Sequence, residues 1–252
     1  MVFDNAFCRT ELLLGNEALQ ALAAAKVCVI GLGGVGSYAV EALARAGIGG
    51  FCLIDFDMVG ETNLNRQLLA LRETIGQPKT ALMRQRILSI NPQAQVTTHQ
   101  VFLDENNRPA LLQGCDYYLD AIDSLGPKIG LLEYASRNGL EIISVMGAGN
   151  RLDPAQVHLT PLHKSHNCPL ARRVRKFLGR RGIKATFFCV WSSELPLRTE
   201  ESFEAPDELI IQRGRKRQQI GSISYLPAIM GMTAASWIIR QIVDSSGKDT
   251  SQ

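Results

Sequence analysis

Four ionisable side chains of this sequence lie where chemistry on a nucleotide would require them: Asp55, Arg66, Lys79 and Asp123. Each lies beyond the end of a predicted strand or near the start of a predicted helix. A guanidinium offers paired donors to phosphate oxygens and neutralises charge on a leaving pyrophosphate. A carboxylate at a strand end can accept hydrogen bonds from ribose hydroxyls or hold Mg²⁺ against phosphates. These residue types together predict a site for a nucleoside triphosphate.

The element predicted to position them is a strand, a glycine turn and a helix. Residues Lys26–Ile30 are rich in β-branched types and lead into Gly31-Leu-Gly-Gly-Val-Gly36, after which a helix-like segment follows. Glycine permits the sharp bend and the close approach of a phosphate, and the helix N-terminus attracts the anion. Asp55 follows a second predicted strand, 19 residues after Gly36. A tight turn that needs glycine for packing alone is the alternative, and it does not explain the acid.

Polar residues crowd the segment beyond that second strand. The run Asn63-Leu-Asn-Arg66-Gln67 lies where ligands bind in open parallel sheets. A nicotinamide-dependent oxidoreductase, the alternative for this glycine motif, has no obvious need for such a run. Gly76-Gln-Pro-Lys79 opens the next predicted helix, so Lys79 could face the same phosphates, although a lone lysine is more often solvated. For Asp123 the alternative is a helix cap, which is compatible with a magnesium role.

Alternating strands and helices predict the fold class. The chain has 252 residues, of which 46% are hydrophobic and 20% charged, and this composition is typical of a globular protein. We predict an α/β fold with a Rossmann-like, doubly wound, mostly parallel sheet flanked by helices. Residues 1–252 are expected to form a single domain, with an N-terminal helical arm over 1–25 and a basic, mobile substrate segment over about 154–219. Leu12, Leu13, Leu19 and Leu22 are predicted to share one apolar helical face, and Gly247–Gln252 to fray.

Cysteine usage and apolar segments bear on the compartment. The six cysteines are scattered without a C-x-x-C pair, which favours reduced thiols in the cytosol and argues against a four-cysteine zinc site. The N-terminus shows no basic-then-apolar signal region, so a cytoplasmic protein is expected. Ile223–Ile239 carries no charge but is close to the lower length limit for a membrane span. We predict a buried helix in a dimer interface there, and no stable membrane association.

A basic block follows the predicted sheet strands. Residues Pro154–Ser193 contain no acidic residue and carry a local charge of +8, whereas the whole chain carries +3. Such a block indicates a polyanion partner, and a solvated helical face is the alternative. A second basic cluster occupies Arg213–Arg217. The candidate contacts in the first block are Arg172, Arg173, Arg175, Lys176, Arg180, Arg181 and Lys184, with Lys164 also basic.

Five motifs follow one another along the chain: Gly31-Leu-Gly-Gly-Val-Gly36, Asp55-Phe-Asp57, Asn63-Leu-Asn-Arg66-Gln67, Gly76-Gln-Pro-Lys79 and Asp120-Ala-Ile-Asp123. Over nearly its whole length the chain thereby resembles the ubiquitin-activating-enzyme-like adenylyltransferases, the ThiF/MoeB/HesA-like superfamily. Further segments look most like the tRNA threonylcarbamoyladenosine dehydratases of that superfamily. They are Phe7-x-Arg9-Thr-Glu-Leu-Leu, Ser144-Val-Met-Gly-Ala-Gly-Asn150, Cys168-Pro-Leu-Ala-Arg172 and Gly221-Ser-Ile-Ser-Tyr-Leu-Pro227.

This resemblance implies an activity and its ligands. It implies ATP-dependent adenylation of the threonyl carboxylate of threonylcarbamoyladenosine beside the tRNA anticodon, followed by ring closure with net loss of water. It also implies ATP, Mg²⁺, tRNA and a homodimer, and it leaves open a monovalent cation and a sulfur-transfer protein partner. Arg9 would reach across the dimer into the partner's ATP site.

The resemblance also implies roles for individual residues. Asp55 would bind the ribose, Asp123 the magnesium, and Asn63 would support the phosphate-binding loop. The implied catalytic residues are Arg9, Arg66, Lys79 and Asp123, and the implied cofactor-binding residues are Gly31, Gly33, Gly34, Gly36, Asp55, Asp57, Asn63, Arg66, Gln67 and Lys79.

Two other functions stay open at this point. One is an adenylyltransferase that activates the C-terminal carboxylate of a ubiquitin-like sulfur-carrier protein, although the paired C-x-x-C ligands usual in such activators are absent. In that case Cys168 or Cys189 would be the conceivable nucleophile, but an incidental thiol is the plainer interpretation of each. The other is a noncatalytic RNA-binding module.

Overall fold

Seven strands form one sheet in the computed structural model, which describes residues 5–197 and 220–246. They are β1 (Lys26–Ile30), β2 (Gly50–Ile54), β3 (Gln95–His99), β4 (Tyr117–Asp120), β5 (Ile142–Val145), β6 (Val157–Pro161) and β7 (Phe188–Ser192). Their order is β3-β2-β1-β4-β5-β7-β6, and every neighbouring pair is parallel except β6 with β7. The predicted α/β class with a doubly wound, mostly parallel sheet is confirmed.

Three predictions fall outside the described residues. The second basic cluster, Arg213–Arg217, lies there, as does the part of the predicted mobile segment that spans residues 198–219. The predicted frayed end, residues 247–252, also lies outside the described part of the chain.

Helices cover both faces of the sheet. Within the described ranges they are α1 (Cys8–Leu14), α2 (Asn16–Ala24), α3 (Gly36–Ala46), α4 (Lys79–Ile90), α5 (Arg108–Leu111), α6 (Leu125–Arg137), α7 (Pro169–Arg180) and α8 (Tyr225–Ser246). Helices α2, α3, α4 and α8 pack on one face, and α6 and α7 pack on the other with the short α5 at their edge. Helix α3 ends at Gly47, whose φ of 97° is in the left-handed region that glycine adopts readily.

Strand β1 shows how the sequence divides the core into two layers. Successive side chains of a strand point to opposite faces of the sheet. Accordingly Val27 and Val29 face the layer of α3 and α8, whereas Cys28 and Ile30 face the layer of α6 and α7. All four side chains are buried, as expected for a central parallel strand that is covered on both faces.

The uncharged segment near the C-terminus forms part of helix α8, as predicted for a buried helix. This helix is long and apolar enough to cross a membrane by length and composition, but 56% of its most apolar window is buried inside the chain. It packs against α2, α3 and the sheet. A Cβ at Gly231 would overlap the carbonyl oxygen of Val35, so glycine permits the close approach of α8 to the start of α3. Helix α8 is therefore a core helix of this chain.

The N-terminal arm differs from the prediction. Leu12 and Leu13 are 87% and 81% exposed, whereas Leu19 and Leu22 are fully buried, so the four leucines do not share one face. The reason is Gly15, whose φ of 87° interrupts the helical path and separates α1 from α2. Of these four leucines, only Leu19 and Leu22 of α2 are buried in the core, while Leu14 at the end of α1 is partly buried against it.

Candidate nucleotide-binding site

The glycine turn between β1 and α3 is fixed by contacts that only glycine allows. Gly31 has a φ of 92°, and a Cβ there would lie 2.9 Å from the carbonyl oxygen of Ala121. A Cβ at Gly36 would overlap the carbonyl oxygen of Gly31. Gly33, by contrast, has only the Gln67 side chain near its missing Cβ, at 3.8 Å. Gly31 and Gly36 thus build the turn, and Gly33 leaves backbone accessible to a ligand.

Asp55 holds this turn from the adjacent strand end. Its Oδ2 atom accepts a hydrogen bond from the Leu32 N–H at 2.5 Å, and its Oδ1 atom accepts one from the Asp57 N–H at 2.7 Å. Burial raises the pKa of the Asp55 carboxyl above its ordinary value, and the positive charge of Lys79 opposes that rise. Each carboxylate oxygen has a second lone pair, so Asp55 can still accept hydrogen bonds from a ligand.

Lys79 is the first residue of α4, as its motif predicts, but it is not solvated. Its side chain is 4% exposed, and its Nζ atom lies 2.7 Å from Asp57 Oδ2. The Lys79 N–H also donates to the Asp57 carbonyl oxygen at 3.2 Å. Asp57 is therefore an ion-pair partner that orients Lys79, which was not foreseen from the sequence.

Asn63 organises the polar run. Its buried side chain accepts a hydrogen bond from the Gly60 N–H at 3.2 Å. The backbone carbonyl oxygen of Asn63 accepts hydrogen bonds from the Arg66 N–H at 3.1 Å and from the Gln67 N–H at 2.9 Å. These bonds give the loop a defined shape around Asn63.

Arg66 and Gln67 lie beside the glycine turn. The guanidinium of Arg66 donates to the Thr62 carbonyl oxygen at 2.8 Å and to Asn65 Oδ1 at 2.9 Å. A Cβ at Gly34 would lie 3.3 Å from Arg66 Cγ, so this side chain borders the turn. Gln67 Oε1 is buried without a hydrogen-bond partner. The loop thus brings one cation and one unsatisfied polar atom to the turn.

The end of β4 rests on a buried ion pair that the sequence reasoning missed. Lys128 Nζ lies 2.7 Å from Asp120 Oδ2, and both side chains are fully buried. The same Asp120 oxygen accepts the Ser144 hydroxyl at 2.6 Å, and Lys128 also donates to the Ile122 carbonyl oxygen at 2.9 Å. A lysine inside the apolar sequence of α6 was the available signal. The pair fixes the segment that carries Asp123.

The sheet gathers the predicted site residues at one edge. Ile30, Ile54 and Asp120 are register partners at the ends of β1, β2 and β4, and the carboxyl ends of parallel strands meet at the same edge. Gly31 and Asp55 therefore emerge side by side. Asp123 lies at the same edge, exposed, and accepts the Ser124 hydroxyl at 2.9 Å.

Arg9 is not brought to this edge. Phe7, two residues earlier, packs beside Gly47 at the far end of α3 from the glycine turn. Helix α3 has 11 residues, and at 1.5 Å per residue its ends are about 16 Å apart. Arg9 is exposed on α1. It lies near the edge of the sheet that is opposite to the site edge of its own chain.

The residues of the basic block differ in their exposure and in their partners. Arg172, Arg173, Lys176, Arg180 and Lys184 are exposed on or after α7, as a polyanion contact requires. Two other predicted contacts are used inside the chain. Arg175 is half-buried and donates to the Ser165 carbonyl oxygen at 2.8 Å, and Arg181 pairs with Glu133 of α6.

The candidate nucleophiles are core thiols. Cys168 and Cys189 are both buried, and burial raises the pKa of Cys189 to about 12. A thiol of this kind is a poor nucleophile because the thiolate is the reactive form. This finding favours the interpretation of both cysteines as structural.

A Rossmann-like sheet with a glycine turn, a buried acid at the next strand end and two cations beside them defines a nucleotide-binding protein. Residues 7–252 match the ThiF family, and the chain belongs to that family. It is 36% identical over 241 residues to the tRNA threonylcarbamoyladenosine dehydratase of Bacillus subtilis, with 94% of each chain covered.

One solved structure matches the chain over nearly its whole length, and another relative matches it only in part. The crystal structure of the Escherichia coli tRNA N6-threonylcarbamoyladenosine dehydratase TcdA in complex with ATP superposes with a TM-score of 0.85 at 35% identity, covering 98% of this chain and 99% of that one. The molybdopterin-synthase adenylyltransferase of Salmonella typhimurium is 40% identical over 109 residues, but these cover only 43% of this chain and 44% of that protein.

Replacing Lys128 with methionine should destabilise the fold strongly, because it leaves the Asp120 carboxylate buried without its counter-charge. We expect a loss of about 3–5 kcal/mol in the free energy of unfolding, measured by urea denaturation. Arg137→Met on the same helix is the control, since the Arg137 side chain is 57% exposed, pairs with Glu133 and otherwise donates one long bond to the Arg181 carbonyl oxygen, and it should cost less than about 1 kcal/mol. If both variants unfold at the same urea concentration, the buried pair does not anchor this strand end.

Proposed function

We propose that this protein is an ATP-dependent tRNA threonylcarbamoyladenosine dehydratase. The observation that carries the proposal is that relatives of that name match nearly the whole chain, including one solved with ATP. The site agrees with this function because a buried acid, a glycine turn and two cations lie together at the carboxyl ends of the strands. ATP is the cofactor, and modified tRNA is the substrate.

The proposed reaction has two steps. In the first, the threonyl carboxylate of threonylcarbamoyladenosine attacks the α-phosphorus of ATP, the bond to the β-phosphate oxygen breaks, and pyrophosphate leaves. In the second, the carbamoyl group attacks the activated carbonyl, loses a proton, and displaces AMP to close the ring. The sum is ATP hydrolysis to AMP and pyrophosphate coupled to loss of water from the nucleoside.

The residues of the site have separate roles in this proposal. Asp55 accepts hydrogen bonds from the ribose hydroxyls through its remaining lone pairs. Gly33 leaves room for the phosphates beside the helix N-terminus. Arg66 exchanges its bonds within the loop for phosphate oxygens, and Lys79, held by Asp57, adds a second positive charge. These groups act chiefly by positioning the phosphates and stabilising charge on the leaving pyrophosphate.

A magnesium ion fits the same edge. Asp123 offers an exposed carboxylate there, and Mg²⁺ typically binds one or two carboxylates together with phosphate oxygens and water. When bound, the ion would supply positive charge to the phosphates. The six free thiols support a cytosolic location.

The competing functions are less well supported. For the alternative of an adenylyltransferase that activates a sulfur-carrier protein, the support is partial: the molybdopterin-synthase adenylyltransferase of Salmonella typhimurium matches 43% of this chain. A nicotinamide-dependent enzyme would not need the loop that carries Arg66. A noncatalytic RNA-binding module would have no use for the buried acid and its turn, and it would not exchange pyrophosphate into ATP.

Asp123→Asn should abolish most of the activity while the fold is kept. The amide retains the size of the side chain but not its charge, so adenylation should slow on the order of 10²–10³-fold if oxyanion-type sites are a fair guide. The measurement is mass analysis of threonylcarbamoyladenosine tRNA incubated with ATP. Asp244→Asn, an exposed acid near the end of α8, is the control and should be fully active. A fully active Asp123→Asn enzyme with its usual magnesium requirement would exclude this residue from the metal site.

The exposed face of α7 is the proposed tRNA contact. Its basic residues Arg172, Arg173, Lys176 and Arg180 are exposed, while Ala171, Val174 and Leu178 are buried against the rest of the chain. Arg175 and Arg181 are left out of this contact because both are bonded internally.

Replacing Arg172 and Arg173 with glutamine should therefore weaken tRNA binding in a salt-dependent way. If each contacts one phosphate, the slope of log K against log salt should fall by about 1.5, since each lost contact removes about 0.7–0.9. The control is a double variant in which Arg84 and Arg240, exposed on α4 and α8, are replaced with glutamine. It should leave the slope unchanged. Equal slopes for the two double variants would show that α7 is a solvated helical face and not a tRNA contact.

We also propose that the enzyme works as a homodimer in which Arg9 completes the partner's site. The support is its location away from the site of its own chain, beside the exposed apolar side chains Leu12 and Leu13 on the same helix. A second copy would bury these leucines. Helix α8, although buried in its own chain, retains exposed residues such as Met232 that can take part in the interface.

Subunit mixing tests the shared site. Arg9→Ala and Arg66→Ala should each be inactive alone, but exchange of subunits should restore about a quarter of the sites, because each mixed dimer then contains one intact site. Dehydration of tRNA by the mixture is the readout, and each variant mixed with itself is the control. A mixture that stays inactive after proven exchange would place Arg9 outside the partner's site.

A further inference from the structure

Three cysteines far apart in the sequence meet in the core. The Sγ atoms of Cys28, Cys52 and Cys115 all lie within 4.8 Å of one another. Within residues 5–197 and 220–246, they are the one group of three or more such ligand side chains that is close enough to hold a metal ion. The candidate nucleotide-binding site does not include them, and all three are free thiols.

Strand register explains why they meet. Cys28 and Cys52 are direct partners in the parallel ladder of β1 and β2, so their side chains project side by side on the same face. Cys115 precedes β4, the other neighbour of β1, and the next residue fixes it there: the Asp116 N–H donates to the Lys26 carbonyl oxygen at 2.9 Å. The trio is thus anchored by three adjacent segments of the sheet.

The trio is separate from the nucleotide site. Cys28 lies three residues before Gly31, which is about 10 Å along an extended strand. Its side chain faces the layer of α6, whereas the helix that follows the glycine turn covers the other face. An ion bound by the cysteines would therefore not touch ATP.

We propose that Cys28, Cys52 and Cys115 form a three-thiolate site for a soft monovalent cation, with Cu(I) the best fit. Soft thiolate ligands select soft ions such as Cu(I) over Mg²⁺ and Ca²⁺. With metal–sulfur bonds of about 2.3 Å, a trigonal site needs sulfurs about 4.0 Å apart. The present separations reach this value with sulfur shifts of well under about 1 Å.

Zinc fits the trio less well. Zn²⁺ in structural sites takes four ligands, and no fourth histidine, cysteine or carboxylate joins the three cysteines among the described residues. Cu(I) is satisfied by fewer ligands. Cys28 is fully buried, while Cys115 is partly exposed, so the site has one side from which an ion can enter.

One positively charged side chain acts on two members of the trio. The Lys26 side chain interacts with Cys52 and Cys115, and its positive charge offsets part of the negative charge of three thiolates around one monovalent ion. A bound ion would cross-link β1, β2 and the segment before β4. Because such an ion binds the folded chain and has no preformed site in the unfolded one, it should raise the unfolding temperature.

Anaerobic titration of the reduced full chain with Cu(I) tests the site. We expect one tight equivalent per chain, an ultraviolet thiolate-to-metal absorption band, and a higher unfolding temperature. Cys115→Ser, at the partly exposed position, should weaken Cu(I) binding at least about 100-fold, since loss of outer-sphere partners alone costs up to that factor. Cys8→Ser and Cys168→Ala, outside the trio, are the matched controls and should bind like the parent chain.

Several results would overturn the proposal. Unchanged Cu(I) affinity in Cys115→Ser and in Cys52→Ser would do so, as would loss of the tight equivalent in Cys8→Ser. Binding of Zn²⁺ at the trio as tightly as Cu(I) would refute the choice of ion. A disulfide within the trio in protein purified without oxygen, detected by mass analysis, would also refute it. ATP binding, measured in parallel, should be the same in Cys115→Ser and Cys52→Ser as in the parent chain.

Discussion

The close contact between Gly36 and the carbonyl oxygen of Gly31 is the constraint on which this site depends. Without a side chain at Gly36, α3 can begin directly beneath the end of β1. That start directs the Leu32 N–H toward Asp55 on the neighbouring strand. The missing Cβ of Gly36 is therefore required, together with the left-handed backbone of Gly31, for this turn and for the start of the helix that follows it. Helix α8 supports the same turn from outside through the contact between Gly231 and Val35.

Charges at the site are already paired without a ligand, and this shapes how a triphosphate can bind. Lys79 rests on Asp57, and the guanidinium of Arg66 bonds to its own loop. Binding therefore exchanges existing contacts for phosphate contacts instead of adding charge interactions to free cations. The exchange reduces the net gain, but the side chains are already ordered and lose little rotamer freedom when the ligand arrives. Such preorganisation suits a reaction that depends on stabilising the leaving pyrophosphate.

The sequence predicted those parts of the site that local pattern determines. Strand β1 begins and ends at the predicted residues Lys26 and Ile30, and the glycine turn, Asp55 and Lys79 occupy the predicted places on strand and helix ends. A lysine in an apolar helix indicates that Lys128 is buried, but its partner Asp120 and the inward direction of Arg175 could not be predicted. Each depends on which element packs opposite, and neither spacing nor composition encodes that.

The cysteine trio shows the same limit more sharply. Cys28 and Cys52 look scattered along the chain, and they become neighbours only because β1 pairs with β2 in one particular register. A slip of one residue would turn one of the two thiols to the other face. Sequence spacing that lacks a C-x-x-C pair therefore excludes local zinc motifs but not a site assembled across strands.

Sheet geometry also bears on the proposed shared active site. In a parallel sheet the ligand edge lies at the carboxyl ends of the strands, and the chain must enter β1 from the opposite edge. The N-terminal arm precedes β1 and packs near Gly47, at that opposite edge. A residue on α1 therefore lies away from the ATP site of its own chain. If Arg9 takes part in catalysis, a second copy must supply it, and the exposed Leu12 and Leu13 offer that copy apolar surface to bury.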